Sequence, residues 1–347
     1  ADALATAHAE RSPPATDHGD NPTVLPNPDA AVPNLKTVLT TDGTYEQYRV
    51  PRNHAEVLKH KDRDLFCAAE LREMARHQAL PTWELVPPPA GAHIIEAIWV
   101  YDIKQDDQLR IKETGGYKAR LCAGGHQARY GIEFDFTHSS TASTEAFRIM
   151  LAIAAYHGWP IYEGDYTTAY LNALIGMYKI YMRQPRGYEQ TGPNGEKLVC
   201  LLLRALYGLP QAGRLWQQTH HDELLRLGFE QCIGEYALYR KIMDGKVVYL
   251  LINVDNLYSF GNDESFRLAQ LQALGAKFDL KDLGLLGHSL GIRVLQLTKL
   301  NRITIDQTQY IRAVVERFYP DGIPKRLLGR SLPSDSGLFT CLLYTSD

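Results

Sequence analysis

Cysteine is scarce and unpatterned in this chain: five residues (Cys67, Cys122, Cys200, Cys232 and Cys341) lie scattered over 347 positions. An odd, dispersed set builds no disulfide framework, so reduced thiols and an intracellular setting are expected. No apolar run approaches the length of a membrane span, and no membrane partner is expected. The first residues lack a basic stretch followed by an apolar core, so no secretory signal is expected. Charge of one sign is lacking too, since 37 basic and 40 acidic residues leave a net −3. That balance advertises no polyanion binder, yet a groove needs only local positive charge. Lys104, Arg110, Lys112, Lys118, Arg120 and Arg129 concentrate such charge. A solvated hairpin surface is the plainer reading of them.

What is present is ordinary globular material, 45% hydrophobic and 22% charged, long enough to bury a core without cross-links. Residues 1–45 are rich in Ala, Pro, Asp, Asn and Thr and are expected to be disordered, because they bury too little to offset ordering entropy. Residues 46–82 form a helical lead-in, with Val57, Leu58, Leu65, Phe66, Ala69 and Met74 at three- and four-residue steps. Strands are expected over 93–104 and 109–123, around the polar turn Gln105-Asp106-Asp107. A helix over 144–157 stops at Gly158, and a second over 213–227 stops at Gly228. Strands over 178–182 and 198–203 lie between them. A hairpin joins 247–253 to 257–260, a helix covers 265–276, strands over 289–297 and 302–305 pair, and a helix covers 307–318. This order is no regular βαβ alternation, which predicts an α+β fold with an antiparallel sheet backed by helices. Residues 326–347 lose periodicity, and 341–347 look like a translated sequencing adapter, so they are set aside from fold reasoning.

Two aspartates stand out. Asp165 closes the apolar stretch Trp159-Pro160-Ile161-Tyr162-Glu163-Gly164, and Asp255 follows Leu251-Ile252-Asn253-Val254. Carboxylates at the ends of neighbouring strands can share Mg²⁺, which prefers oxygen ligands. Each has a plainer reading: Asp165 as the cap of a short helical turn, and Asn253-Val254-Asp255-Asn256 as ordinary turn residues. Val247-Val248-Tyr249-Leu250-Leu251-Ile252 reads as a strand buried on both faces, which places the tip within the protein body. The stretch Leu206-Tyr207-Gly208-Leu209-Pro210-Gln211-Ala212 makes a backbone ledge before a helix, with Gln211 offering both a donor and an acceptor.

Further words occur in a set order: Trp83-Glu84-Leu85-Val86, Tyr117-Lys118-Ala119-Arg120-Leu121, Gly131-Ile132-Glu133-Phe134-Asp135, Ala169-Tyr170-Leu171-Asn172, Lys281-Asp282-Leu283-Gly284 and Leu290-Gly291-Ile292. Together they resemble the reverse transcriptase of copia-type long-terminal-repeat retrotransposon Pol polyproteins, from about residue 51 to about residue 318. The resemblance implies polymerase fingers and palm over 83–300 and the start of a thumb over 301–325. It implies two Mg²⁺ ions, with Mn²⁺ as a substitute, held by Asp165, the Tyr166 carbonyl and Asp255, and a third catalytic position at Asn256. Tyr170 would lie under the sugar of the incoming dNTP, Gln211 would contact that nucleotide, and Lys118 and Arg120 would face the triphosphate or template. Leu290, Gly291 and Ile292 would grip the primer. The implied partners are an RNA template, a DNA primer, their RNA–DNA hybrid, dNTPs, and the integrase and ribonuclease H parts of the polyprotein. The implied setting is the cytoplasm, within virus-like particles for an active copy.

The chain departs from the family pattern where two successive aspartates are usual, since the second is Asn256. Thr137-His138-Ser139-Ser140-Thr141 and Leu121-Cys122-Ala123 depart as well. A neutral amide holds a divalent cation less strongly than a carboxylate. Weakened or absent polymerase activity is therefore expected, and the alternative is a catalytically dead remnant that only binds nucleic acid. Two other readings carry less: a zinc module on Cys122 and His126, which lacks a second ligand pair at finger spacing, and a nuclease, which needs neither ledge nor primer grip. His220-His221 reads as an exposed helix face, because adjacent helical residues point apart.

Overall fold

The computed structural model describes residues 34–106 and 108–319. The chain opens with β1 (Leu35–Leu39), β2 (Tyr45–Arg49), α1 (His54–Val57), α2 (Arg63–Ala79), β3 (Trp83–Val86), β4 (Ile94–Ile95), β5 (Ala97–Ile103) and β6 (Tyr117–Ala123). Next come α3 (Thr144–His157), β7 (Tyr162–Tyr166), β8 (Tyr181–Met182), β9 (Val199–Leu202) and α4 (Ala212–Arg226). There follow β10 (Glu230–Gln231), β11 (Leu238–Met243), β12 (Lys246–Asn253), β13 (Asn256–Gly261) and α5 (Glu264–Gly275). The described part closes with β14 (Leu280–Leu285), β15 (His288–Ser289), β16 (Ile292–Leu297), β17 (Arg302–Asp306) and α6 (Thr308–Phe318).

A six-stranded sheet, in the order β10-β11-β12-β13-β7-β14, is the centre of the architecture. Its pairs are all antiparallel, whereas β4 and β8 pair in parallel within a separate four-stranded sheet. The large sheet is covered on both faces. Val248, Leu250 and Leu257 pack with Trp216 and Leu224 of α4 and Phe266 and Leu274 of α5. Leu251, Tyr258 and Phe260 pack with Phe147, Met150 and Ala154 of α3. The expected two-faced burial of the 247–252 run follows from this sandwich, since neighbouring strand residues point to opposite faces.

Helix α3 begins where Ser143 accepts the Ala146 N–H and ends where Gly158 adopts φ +68, a conformation glycine takes without steric cost. These local signals are why its bounds match the sequence expectation.

Several expectations need correction. Residues 34–45, expected to be disordered, include β1, and the 46–82 lead-in begins with most of β2 rather than with a helix. Val38 and Tyr48 are buried, and Leu39 donates its N–H to the Leu109 carbonyl at 3.0 Å. A composition average over 45 residues hides a five-residue strand that finds its partner nearby. The 93–104 and 109–123 strands are shorter than expected, because the chain leaves the ladder between Ile103 and Tyr117. Gly115, at φ +67, lies in that connection. The expectations for residues 1–33, 320–325 and 326–347, and for Asp107, lie outside the described residues. Among the described residues no helix is long and apolar enough to cross a membrane.

Candidate active site

Strand β7 runs between β13 and β14, and the two ladders set Asn256 and Lys281 opposite Asp165. Directly opposed residues share one face of a sheet, so an amide, a carboxylate and an ammonium form a single row. Asp255 precedes that row in the two-residue turn between β12 and β13. Its carbonyl accepts the Tyr166 N–H at 2.8 Å, which fastens the turn to the end of β7. Asp165 is therefore a strand residue rather than a cap; the short 3₁₀ turn that follows is preceded by Thr168.

Asp165 and Asp255 line one open cleft of about 490 Å³, together with Lys104, Lys118, Arg120 and Lys281. Burial, then repulsion from Asp255, raises the Asp165 carboxyl above its ordinary range, while Lys281, Lys104 and Lys118 act in the opposite direction. Glu163, two residues earlier on the same face, is raised by burial and by Asp165. Lys118 is pushed down to about 8, first by burial and then by Lys104 and Arg120. Two mutually repelling carboxylates open to a cleft fit a hard divalent cation, which takes oxygen ligands and relieves that repulsion. Among the described residues no group of three or more His, Cys, Asp or Glu side chains converges on a metal position. Asn256 lies opposite Asp165 in the ladder but is not among the residues that line the cleft, and Cys122 and His126 gain no such partners.

The raised Asp165 carboxyl makes stability depend on pH. Its folded pKa lies above the unfolded value of 3.8, so the native state holds more protons than the unfolded chain just above that pH. Its contribution is neutral well below 3.8 and turns destabilising as pH rises through the folded value. Asp165→Asn removes the cost. Calorimetry without divalent ions is expected to show a higher melting temperature than the parent at pH 7, and no gain at pH 3.

The turn that carries Asp255 is strained. Val254 has φ +59, a region that β-branched residues rarely enter and that costs about 1–3 kcal/mol. Trp216 of α4 donates its Nε1–H to the Val254 carbonyl at 2.7 Å. One helical turn further on, His220 Nε2 and the Tyr166 hydroxyl share a hydrogen bond of 2.6 Å. His220 is only 2% exposed, which corrects the expected exposed face, and burial pushes its imidazole down to about 3. His221 does point away, to the Tyr239 hydroxyl at 2.8 Å.

The remaining expected residues divide. Tyr170 packs edge-on against Tyr207, with ring centroids 4.6 Å apart, and burial followed by the Asp255 charge raises its phenol. The Arg120 guanidinium lies over the Tyr207 ring at 5.5 Å, and Tyr207 lines the cleft, whereas Tyr170 lines a separate pocket with Trp216 and Val254. Gln211 does not line the cleft. It is 2% exposed, donates from Nε2 to the Glu133 carbonyl at 2.9 Å, and leaves Oε1 without a partner. Leu290 and Gly291 form the β15–β16 turn with φ of +53 and +73, and Ser289 hydrogen-bonds Tyr258 of β13. Of the basic cluster, Lys104, Lys112, Lys118 and Arg120 line the cleft, whereas Arg129 pairs with Glu133 at 2.7 Å. Sequence reasoning missed Lys281, Trp216 and His220. The i, i+4, i+8 spacing of Trp216, His220 and Leu224 was the signal for a buried stripe on α4.

Residues 80–322 match the family described as reverse transcriptase (RNA-dependent DNA polymerase). The retrovirus-related Pol polyprotein from transposon TNT 1-94 of Nicotiana tabacum is 30% identical over 288 residues, covering 82% of this chain and 21% of that relative. The retrovirus-related Pol polyproteins from transposons RE1 and RE2 of Arabidopsis thaliana are 32% and 33% identical, over 68% and 61% of this chain and 16% and 14% of their own lengths. The chain thus spans about a fifth or less of these curated relatives. With more than half of its residues matched, the chain belongs to the reverse transcriptase family, as the polymerase segment of a copia-type Pol polyprotein.

Proposed function

We propose that this chain is an RNA-directed DNA polymerase that adds dNTPs to a primer 3′-hydroxyl on an RNA template, at a rate lowered by Asn256. The observation that carries the reading is the meeting of Asp165 and Asp255 in one cleft walled by cationic side chains. In this reading the six-stranded sheet with its helices is the palm, the β5–β6 hairpin belongs to the fingers, and β17 with α6 begins the thumb.

Asp165, Asp255 and the Tyr166 carbonyl would hold Mg²⁺. When bound, such ions lower the pKa of the primer hydroxyl and stabilise charge on the transferred phosphoryl group. The chain's own groups orient the reactants. Lys118 and Arg120 face the triphosphate from the opposite wall, and Tyr170, braced by Tyr207, lies under the sugar. The Leu290-Gly291 turn holds the primer strand. Template choice falls to base pairing, so the protein grips the hybrid by its backbone and shape. Integrase and ribonuclease H functions belong to other parts of such a polyprotein.

A second reading, nucleic-acid binding without synthesis, is favoured by Asn256 alone. Primer extension on an RNA template with Mg²⁺ separates the two. Template-dependent synthesis supports the polymerase; binding of the hybrid without synthesis, by both the parent and Asn256→Asp, supports the remnant.

A further inference from the structure

Two like-charged aspartates share one cleft, and the turn carrying one of them is strained. Something must hold them in register before any cation arrives. We propose that helix α4 is a strut that sets the spacing of Asp165 and Asp255, with Trp216 and His220 as positioning residues for the metal site. The proposal rests on the metal-binding reading above.

The geometry is specific. Trp216 and His220 lie one turn apart on the same buried face of α4. Trp216 reaches the carbonyl of Val254, the residue before Asp255, at 2.7 Å. His220 reaches the hydroxyl of Tyr166, the residue after Asp165, at 2.6 Å. One rigid element thus grips both acid-bearing segments at sites adjacent to the acids. The Trp216 and Phe278 rings pack around Tyr166, with centroids 5.3 and 6.0 Å away, so the phenol has little room to shift. Neither positioning residue is acidic, and neither is a candidate ligand. Their role is to keep the carboxylates close enough for one cation to see both, which lowers the reorganisation that binding would otherwise require.

The test is a Mn²⁺ titration of the full chain, with free Mn²⁺ followed by electron paramagnetic resonance and metal-free melting followed in parallel. Trp216→Phe keeps an aromatic ring and deletes one N–H. Tyr166→Phe keeps its ring and deletes one hydroxyl, and it decides the matter where Trp216→Phe does not fold. Each is expected to raise the half-saturating Mn²⁺ concentration about tenfold, ~1.4 kcal/mol. A merely structural role lowers the melting temperature and leaves that concentration unchanged, which overturns the strut. Asp165→Asn is the control. Parent-like Mn²⁺ binding in that variant defeats the metal-site reading itself. Loss of binding there, alongside parent-like binding in both ring variants, defeats only the strut.

Discussion

Asp165→Ala is expected to lower Mg²⁺-dependent primer extension by about 10³-fold or more, ~4 kcal/mol of lost transition-state stabilisation. The size follows from position. Asp165 is the one acid in the row across β13, β7 and β14, flanked there by Asn256 and Lys281. Removing it leaves Asp255 as the single aspartate of the pair and deprives Lys281 of its opposed carboxylate. The fold is expected to persist, because the raised Asp165 carboxyl is a cost to the metal-free protein rather than a support. Extension rates at saturating Mg²⁺ and dNTP, measured beside circular dichroism, check both halves. Undiminished synthesis by a folded variant removes Asp165 from the chemistry.

Asn256→Asp is the converse experiment, with an expected gain of about 10²-fold, ~2.7 kcal/mol. A unit charge about 4 Å from another contributes about 4 kcal/mol at an effective dielectric near 20, so a full carboxylate beside a divalent ion can supply that much. The same charge has a cost without metal. Asn256 faces Asp165 across the ladder, and like charges directly opposed destabilise a sheet. The variant is therefore expected to melt lower than the parent in chelator and to gain more from Mg²⁺. Melting curves with and without the ion, together with extension rates, test the two signs. An unchanged rate with an unchanged ion response would mean that position 256 does not contribute to the metal site.

Much of this was legible in the sequence, for local reasons. Helix α3 carries its own cap, period and glycine stop, and its bounds coincide with the expectation. Asp165 and Asp255 were marked by the apolar stretches that precede them: the first runs into β7, and the second ends β12, whose hairpin partner β13 pairs with β7. What was missed is non-local. Strand β14 is mostly exposed and interrupted by a bulge between Asp282 and Gly284, so it shows no clean alternation, yet it places Lys281 beside Asp165. The Trp216–Leu224 spacing signalled a buried stripe that includes His220, but its partner Tyr166 lies 54 positions away and no local pattern shows it. Gln211 is the opposite case. A word in the right order marked it for the nucleotide, while packing turned its amide inward to Glu133.

Lys118 has a consequence measurable as heat. At about 8, its ammonium exchanges its proton with solvent near neutral pH, held there by burial and by Lys104 and Arg120. A polyphosphate entering the cleft brings negative charge that favours the protonated amine, so at pH 8 binding should draw a fraction of a proton from the buffer. Titration calorimetry in buffers of different ionisation enthalpy should then give binding heats that rise or fall with the buffer, and Lys118→Met should flatten that slope.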